Sequence, residues 1–141
     1  MMRVLLTGVD AEGRSHAISH ATPEFVEAAP GFSFADVFTI ATPPGPRPEG
    51  HAELHDLGIA PGAVHWMLVD YAPGASTPHH CTDSYDFEVV LDGSIWLTLD
   101  DGVHHLEAGD MVIMTGVDHA WRAGPEGCRL SVCCLGTPPL E

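Results

Sequence analysis

From residue 62 to the C-terminus, apolar positions come in short runs broken by Gly, Pro or Asp. The runs are VHWMLVDY (64–71), SYDFEVVL (84–91), SIWLTLDD (94–101), HHLEA (104–108), DMVIMTG (110–116), HAWRAG (119–124) and CRLSVCCLG (128–136). Turn signals recur about every 8–12 positions, the spacing of a sandwich or barrel, so each run predicts a strand. Ahead of them, residues 3–19 read as two strands around Asp10, Glu12 and Gly13, a hairpin with apolar flanks. Residues 20–62 are loop-rich, with one candidate helical turn at TPEFVEAA, where Thr22 would cap and Pro23 would open the helix. The segment ATPPGPRPEGH cannot be regular structure and reads as a surface arm. The expectation is one all-β domain, with a hairpin and proline-rich arm (1–61) packing on a barrel (62–141).

Composition agrees with this and narrows the chemistry. A chain of 141 residues is near the commonest size of a single domain, and 45% hydrophobic content suffices for one core. Twenty acidic residues stand against five basic ones, giving a net charge of −15 that repels phosphate backbones and anionic lipid surfaces. No nucleic acid or membrane partner is therefore expected. All five basic residues are arginine, which excludes Schiff-base chemistry and a phosphate-loop lysine, because both need an ε-amine. The opening MMRVLLTGVDAEG has too short an apolar run for a secretory core, and no later segment approaches a membrane span, so a cytoplasmic protein is expected. Cys81, Cys128, Cys133 and Cys134 form no CxxC pair and read as free thiols. No G-x-S-x-G or strand-following GxGxxG occurs, so covalent catalysis has no support.

The chemically rich stretch is TPHHCTDSYDFEVVLDG, residues 77–93. Its spacing is Gly74-x5-His80-x-Thr82-x3-Asp86-x6-Gly93, followed by Gly109-x6-Gly116-x2-His119. This resembles the two motifs of the cupins, G-x5-H-x-H-x3-E-x6-G and G-x5-P-x-G-x2-H-x3-N, over roughly residues 62–136. More narrowly, HCTDSYDFEVVLDGSIWLTLDDG, GDMVIMTGVDHAWRAG and RVLLTGVDAEGR are similar to a little-characterised group of single-domain cupins. The resemblance implies a double-stranded β-helix, the jelly-roll barrel, closed around a small-molecule cavity. By position His80 and His119 match ligand histidines, Thr82 replaces a histidine and Asp86 replaces the glutamate. His80, Asp86 and His119 then form the two-imidazole, one-carboxylate set that non-haem iron enzymes use. The ion implied is divalent: iron, zinc, manganese or nickel.

Residues two apart on a strand share a face, so Glu88 lies on the side of Asp86. If that side faces the cavity, Glu88 is a catalytic general base or a substitute ligand. If Phe87, Val89 and Leu91 face the core instead, both carboxylates are solvated. Parity leaves this open. Trp121 shares the parity of His119 and, with Thr82, is expected to line the ligand pocket. A shifted register using His79 and Cys81 would break the motif spacing. His51, His55, His104 and His105 read as solvated histidines without a function, and Arg122 as a partner for surface carboxylates or a substrate acid.

The functional expectation is a cupin that binds a small organic acid or carbonyl compound beside a metal, with dioxygenase, isomerase or decarboxylase-type chemistry. The alternative is a metal-free binding or regulatory module in which Thr82, Asp86 and His119 bond a ligand directly. A homodimer is expected, because the hairpin and arm are too poor in apolar residues to stand alone.

Overall fold

The computed structural model describes residues 2–141. Strands β1 (Val4–Val9) and β2 (Ser15–Ala21) form the expected N-terminal hairpin. Its turn is made by Asp10, whose Oδ1 accepts the backbone N–H of Glu12 at 2.9 Å and of Arg14 at 3.0 Å. The candidate helical turn at residues 22–29 is not formed. That region is a second hairpin of β3 (Val26–Ala29) and β4 (Phe32–Phe34), closed at Pro30-Gly31 with Gly31 at φ 76°. A single helical turn carries the full nucleation cost with little propagation to offset it, whereas a Pro-Gly pair needs no such support.

The remaining strands are β5 (Glu53–Leu54), β6 (Val64–Tyr71), β7 (His80–Cys81), β8 (Ser84–Leu99), β9 (Gly102–Glu107), β10 (Met111–Met114) and β11 (Ala120–Gly136). Among the described residues there is no helix, and so none long and apolar enough to cross a membrane. A seven-stranded sheet in the order β2-β1-β10-β8-β11-β6, with β9 on β8, curls around one core as an all-β jelly roll. Only β1 and β10 pair in parallel within it. Leu5, Ile95, Leu97, Leu106, Met114 and Leu130 are fully buried.

Two pairs of expected strands are each one long strand. The runs 84–91 and 94–101 belong to the 16-residue β8, and 119–124 and 128–136 to the 17-residue β11. Asp92-Gly93 has the composition of a hairpin turn, yet here it bends the strand instead of reversing it. Gly93 sits at φ 74°, and any side chain there would collide with the carbonyl oxygen of Gly127 on β11. The two strands therefore bend together. On the near side of the bend β8 pairs with β10, on the far side with β9, and β11 accompanies it through both.

The bend also changes which positions face inward. Leu130 pairs with Val90 and Arg129 with Asp92, so Leu91 is an extra residue opposed by nothing. Before it, the even positions Ser84, Asp86, Glu88 and Val90 are buried; after it, the odd positions Ile95, Leu97 and Leu99 are. Leu91 itself is 48% exposed.

Candidate functional site

His80 on β7 and His119, just ahead of β11, are joined by a reciprocal backbone pair. The N–H of His80 donates to the carbonyl of His119 at 2.8 Å, and the reverse bond is 2.9 Å. Residues directly opposite in an antiparallel pair project to the same side, and the two imidazole rings lie 4.3 Å apart, centre to centre. Each ring has a backbone carbonyl 2.8 Å from Nδ1, Pro78 for His80 and Val117 for His119. A carbonyl only accepts, so in the neutral ring Nδ1 carries the proton and Nε2 keeps its lone pair. Burial, and secondarily the charge of His80, push the pKa of His119 down to about 4. It is a neutral imidazole at ordinary pH.

The inward face of β8 adds two carboxyl groups. Asp86 is 7% and Glu88 6% exposed, which resolves the parity left open by the sequence: both point inward, and Phe87 and Val89 lie on the outer side. Ser84 Oγ lies 2.6 Å from Asp86 Oδ1 and 2.9 Å from Thr82 Oγ1. Serine has one proton to give. The carboxylate takes it, and the Thr82 hydroxyl donates in turn to Ser84. Burial raises the pKa of Asp86, while bonds from Ser84 and Cys134 and the charge of His80 pull it the other way. Glu88 has no such support: burial, then the charge of Asp86, hold it well above the usual carboxylate range. Its Oε2 is buried without a hydrogen-bond partner.

These groups line one cavity of about 370 Å³. His80, Thr82, Asp86, Glu88, His119 and Trp121 all contribute to its wall, so the structure brings together all six residues singled out in the sequence. Met67, Val69, Leu130 and Val132 form an apolar side. Trp121 is 4% exposed and stands edge-on to His119 with ring centres 5.8 Å apart. Tyr71 also faces in, its phenol pushed up to about 12 by burial and then by Glu88. Among the described residues, no three His, Cys, Asp or Glu side chains are grouped tightly enough to hold an ion as they stand.

The mouth is crossed by a strap, residues 47–57. β5 pairs in parallel with β7, setting Glu53 opposite His80 and Leu54 opposite Cys81, and the N–H of His55 continues the ladder to the carbonyl of Cys81 at 2.8 Å. Buried Asp118 accepts the backbone N–H groups of His51 at 2.7 Å and Ala52 at 3.2 Å. Arg47 Nε donates to Asp83 Oδ1 at 2.9 Å. Glu53, Leu54, His55 and Leu57 thereby join the cavity wall, with the His55 ring 6.1 Å from that of His80.

Residues 67–134 match the Cupin domain family. This chain carries a cupin domain. It is similar to phomopsin biosynthesis cluster protein C′ of Diaporthe leptostromiformis, with 43% identity over 105 residues, 72% of this chain and 49% of that protein. It is also similar to the cupin-domain-containing oxidoreductase fogC of Aspergillus ruber (strain CBS 135680), with 29% identity over 125 residues, 82% of this chain and 61% of that protein. The chain spans about half the length of the first two curated relatives it matches, 49% and 44%. Among solved structures, the Schizosaccharomyces pombe Cnp3 cupin domain is similar over 96% of this chain and 88% of that one, with 11% identity and a TM-score of 0.48.

The other sequence candidates of the barrel lie as follows. His79 is exposed, lies 3.5 Å from Asp100 and also contributes to the cavity wall. Cys81 is buried and packs its thiol 3.8 Å and 3.7 Å from the carbonyls of Ala52 and Glu53. His104 bonds Asp101 at 2.8 Å and His105 stacks on Trp96 at 4.9 Å, both on the β8–β9 hairpin as expected. Arg122 is exposed and lies 5.0 Å over the Trp96 ring, outside the cavity. His55 is exposed, as expected, but it sits on an ordered strap and contributes to the cavity wall instead of lying on a loose arm. Nothing in the sequence signalled this, because a two-residue parallel pairing leaves no periodicity to read.

Proposed function

We propose that this cupin binds a small organic acid or carbonyl compound in its cavity and acts on it beside a divalent metal held by His80 and His119, with Asp86 as the carboxylate donor. The observation that carries this is the pair of imidazoles whose Nδ1 atoms are committed to backbone carbonyls, leaving both Nε2 lone pairs free. That is how proteins orient histidines toward cations. Iron, zinc, manganese and nickel all suit imidazole and carboxylate ligands. When bound, such an ion supplies Lewis-acid polarisation of a carbonyl or enolate, or an open position for dioxygen, the basis of isomerase, decarboxylase or dioxygenase chemistry.

The chain's own residues supply the rest. Glu88, catalytic in this reading, is held as a neutral acid and gives a proton to a ligand oxygen in the cavity. Trp121 and the apolar wall seat the ligand's hydrocarbon part, and Thr82 and Ser84 hold Asp86 in place. The relatives named for biosynthesis clusters, and one named an oxidoreductase, support a place in small-molecule metabolism. The acidic surface supports a small-molecule partner over nucleic acid or membrane, and four free cysteines support a cytoplasmic setting.

The test is metal content of protein purified without chelator, followed by thermal melts with and without EDTA. Close to one metal per chain and a melting point lowered by EDTA are expected. A metal-free protein whose melt ignores all four ions would overturn the metal reading. The metal-free binding module is favoured by one observation, the lack of a ready three-donor group among the described residues. It predicts ligand stabilisation that persists in excess EDTA.

The partner we propose for the outer surface is a second copy. Phe25, just ahead of β3, and Val26, Phe32 and Phe34 of the β3–β4 hairpin are exposed, as are Val64, Trp66 and Leu68 of β6, Trp66 at 75%. A lone two-stranded hairpin is marginal in water. Together these side chains expose on the order of 800 Å², the area each partner of a stable interface contributes. An isologous dimer covers both patches at once. Sedimentation is expected to give a 30 kDa species, twice the 15.0 kDa chain, and a Trp66→Glu variant a monomer. A wild type that sediments as one chain would refute it.

A further inference from the structure

The cavity wall carries three carboxyl side chains, Glu53, Asp86 and Glu88, and among the described residues no arginine contributes to it. The chain has no lysine, and each of its five arginines is engaged elsewhere. Arg3 donates to the carbonyl of His20 at 2.8 Å, and Arg14 lies 3.4 Å from Asp10 in the first hairpin. Arg47 pairs with Asp83 at 2.9 Å, Arg129 holds Asp70 through bonds of 2.8 Å and 3.0 Å, and Arg122 lies over Trp96. No permanent cation faces a ligand in the cavity, and in either protonation state none of the three carboxyls is one.

An anion that leaves water for a buried space needs a cation or several donors there to replace its hydration. This wall turns acceptors inward instead. The Nδ1 protons of His80 and His119 are committed to the carbonyls of Pro78 and Val117, so both rings present lone pairs. The Thr82 hydroxyl gives its proton to Ser84, and Ser84 gives its own to Asp86. Glu88 is 6% exposed and its Oε2 has no hydrogen-bond partner, a further lone-pair oxygen with nothing to balance it. The donors that remain are neutral: the hydroxyl of Tyr71 and that of Thr77, which accepts the N–H of Trp121 at 3.0 Å and keeps its own proton to give. Neutral donors suit a carbonyl oxygen, which needs a hydrogen bond and no counter-charge. The net charge of −15 acts in the same sense at longer range, repelling anions from the mouth.

We propose that the cavity selects an uncharged carbonyl compound and refuses the carboxylate anion of the same shape. This narrows the ligand class proposed above and rests on the reading of the cavity as a ligand site; it needs no metal.

The experiment is calorimetric titration at about pH 8, where an ordinary histidine is neutral, of the protein as purified and again in excess EDTA. The probes are two matched pairs, mandelamide with mandelate and lactamide with lactate, each pair sharing one skeleton and differing in charge. The amide of each pair is expected to bind at least about tenfold more tightly than the anion in both conditions. Leu57, on the strap, lines the same wall and is 37% exposed, so it tolerates a longer side chain. Leu57→Lys places an ammonium beside the ligand and is expected to recover most of the affinity for the anions, while Leu57→Met keeps the wild-type preference. Thermal melts show whether each variant is folded. Anions bound as tightly as their amides in either condition would overturn the proposal and leave the cavity a ligand site. A folded Leu57→Lys protein that still refuses the anions would also overturn it, because the refusal would then come from shape and not from charge. A wild type that binds none of the four probes would remove the ligand-site reading and this inference together.

Discussion

His119→Gln is expected to remove most of the protein's loss of stability between pH 6.5 and pH 4. His119 is buried and neutral, with a folded-state pKa of about 4 against 6.5 for the free side chain. Between those values the unfolded chain binds a proton that the folded chain refuses, so stability falls as pH falls. At 1.36 kcal/mol per pH unit, the gap from 6.5 to about 4 is worth about 3 kcal/mol. Asp86 and Glu88 act in the opposite sense. Their folded pKa values are raised, so the stability they contribute is present below the unfolded pKa, 3.8 for Asp86 and 4.5 for Glu88, and is lost as pH rises through the folded values. His20, less buried, is lowered too, so the acid loss between pH 6.5 and 4.5 comes mainly from His119, with Asp86 and Glu88 running the other way. Glutamine can still donate to the Val117 carbonyl but cannot take up the proton. Urea unfolding of the apoprotein in EDTA, from pH 4.5 to 7.5, measures it. Parallel stability curves for wild type and variant would show that His119 is not the neutral buried group described here.

The site was legible where motif spacing and strand alternation work over short distances. His80, Asp86 and His119 were placed by their match to the cupin motifs, and Glu88 by strand alternation from Asp86. What spacing could not supply was the direction of the face, because that depends on the extra residue at Leu91, which reverses parity between the two halves of β8. The same bend explains the misplaced strand ends. Asp-Gly is a strong hairpin signal in isolation, but the edges of residues 84–91 are already taken by β10 and β11, so the strand continues through it. The strap escaped for a different reason. Proline-rich chain with no period reads as loop, and its order comes from three long-range contacts, at Cys81, Asp83 and Asp118, that no local pattern encodes.

These facts connect fold and chemistry at one point. β8 delivers a hydrogen-bonded carboxyl, Asp86, and an unsupported one, Glu88, side by side. Two adjacent carboxyls in a buried site resist being charged together, and the one with fewer hydrogen bonds holds its proton longer. Ser84 settles which is which. The hydrogen-bond inventory of this one strand face supports the division of labour proposed above, a ligating Asp86 and a proton-bearing Glu88.

Trp121→Ala is expected to cost about 3–5 kcal/mol, the range for deleting a large buried aromatic side chain, and to lower the melting point by roughly 10–20 °C. Trp121 pairs with Leu97 across the β11–β8 ladder, its backbone is held by Thr77 through bonds of 2.9 Å and 3.0 Å, and its ring stands against His119. Its removal leaves a void contiguous with the cavity, which water can enter beside an imidazole that burial now keeps neutral. The pKa of His119 is thus expected to rise toward 6.5 in Trp121→Ala, reducing the acid loss even as overall stability falls. Trp121→Phe keeps an aromatic edge and most of the apolar wall, and is expected to lose less than half as much stability while leaving the acid limb in place. Differential scanning calorimetry gives the stability difference, and NMR titration of the His119 ring gives the pKa. An unmoved His119 pKa in Trp121→Ala would mean that strand packing alone excludes water from the imidazole, and that the indole serves only as part of the core.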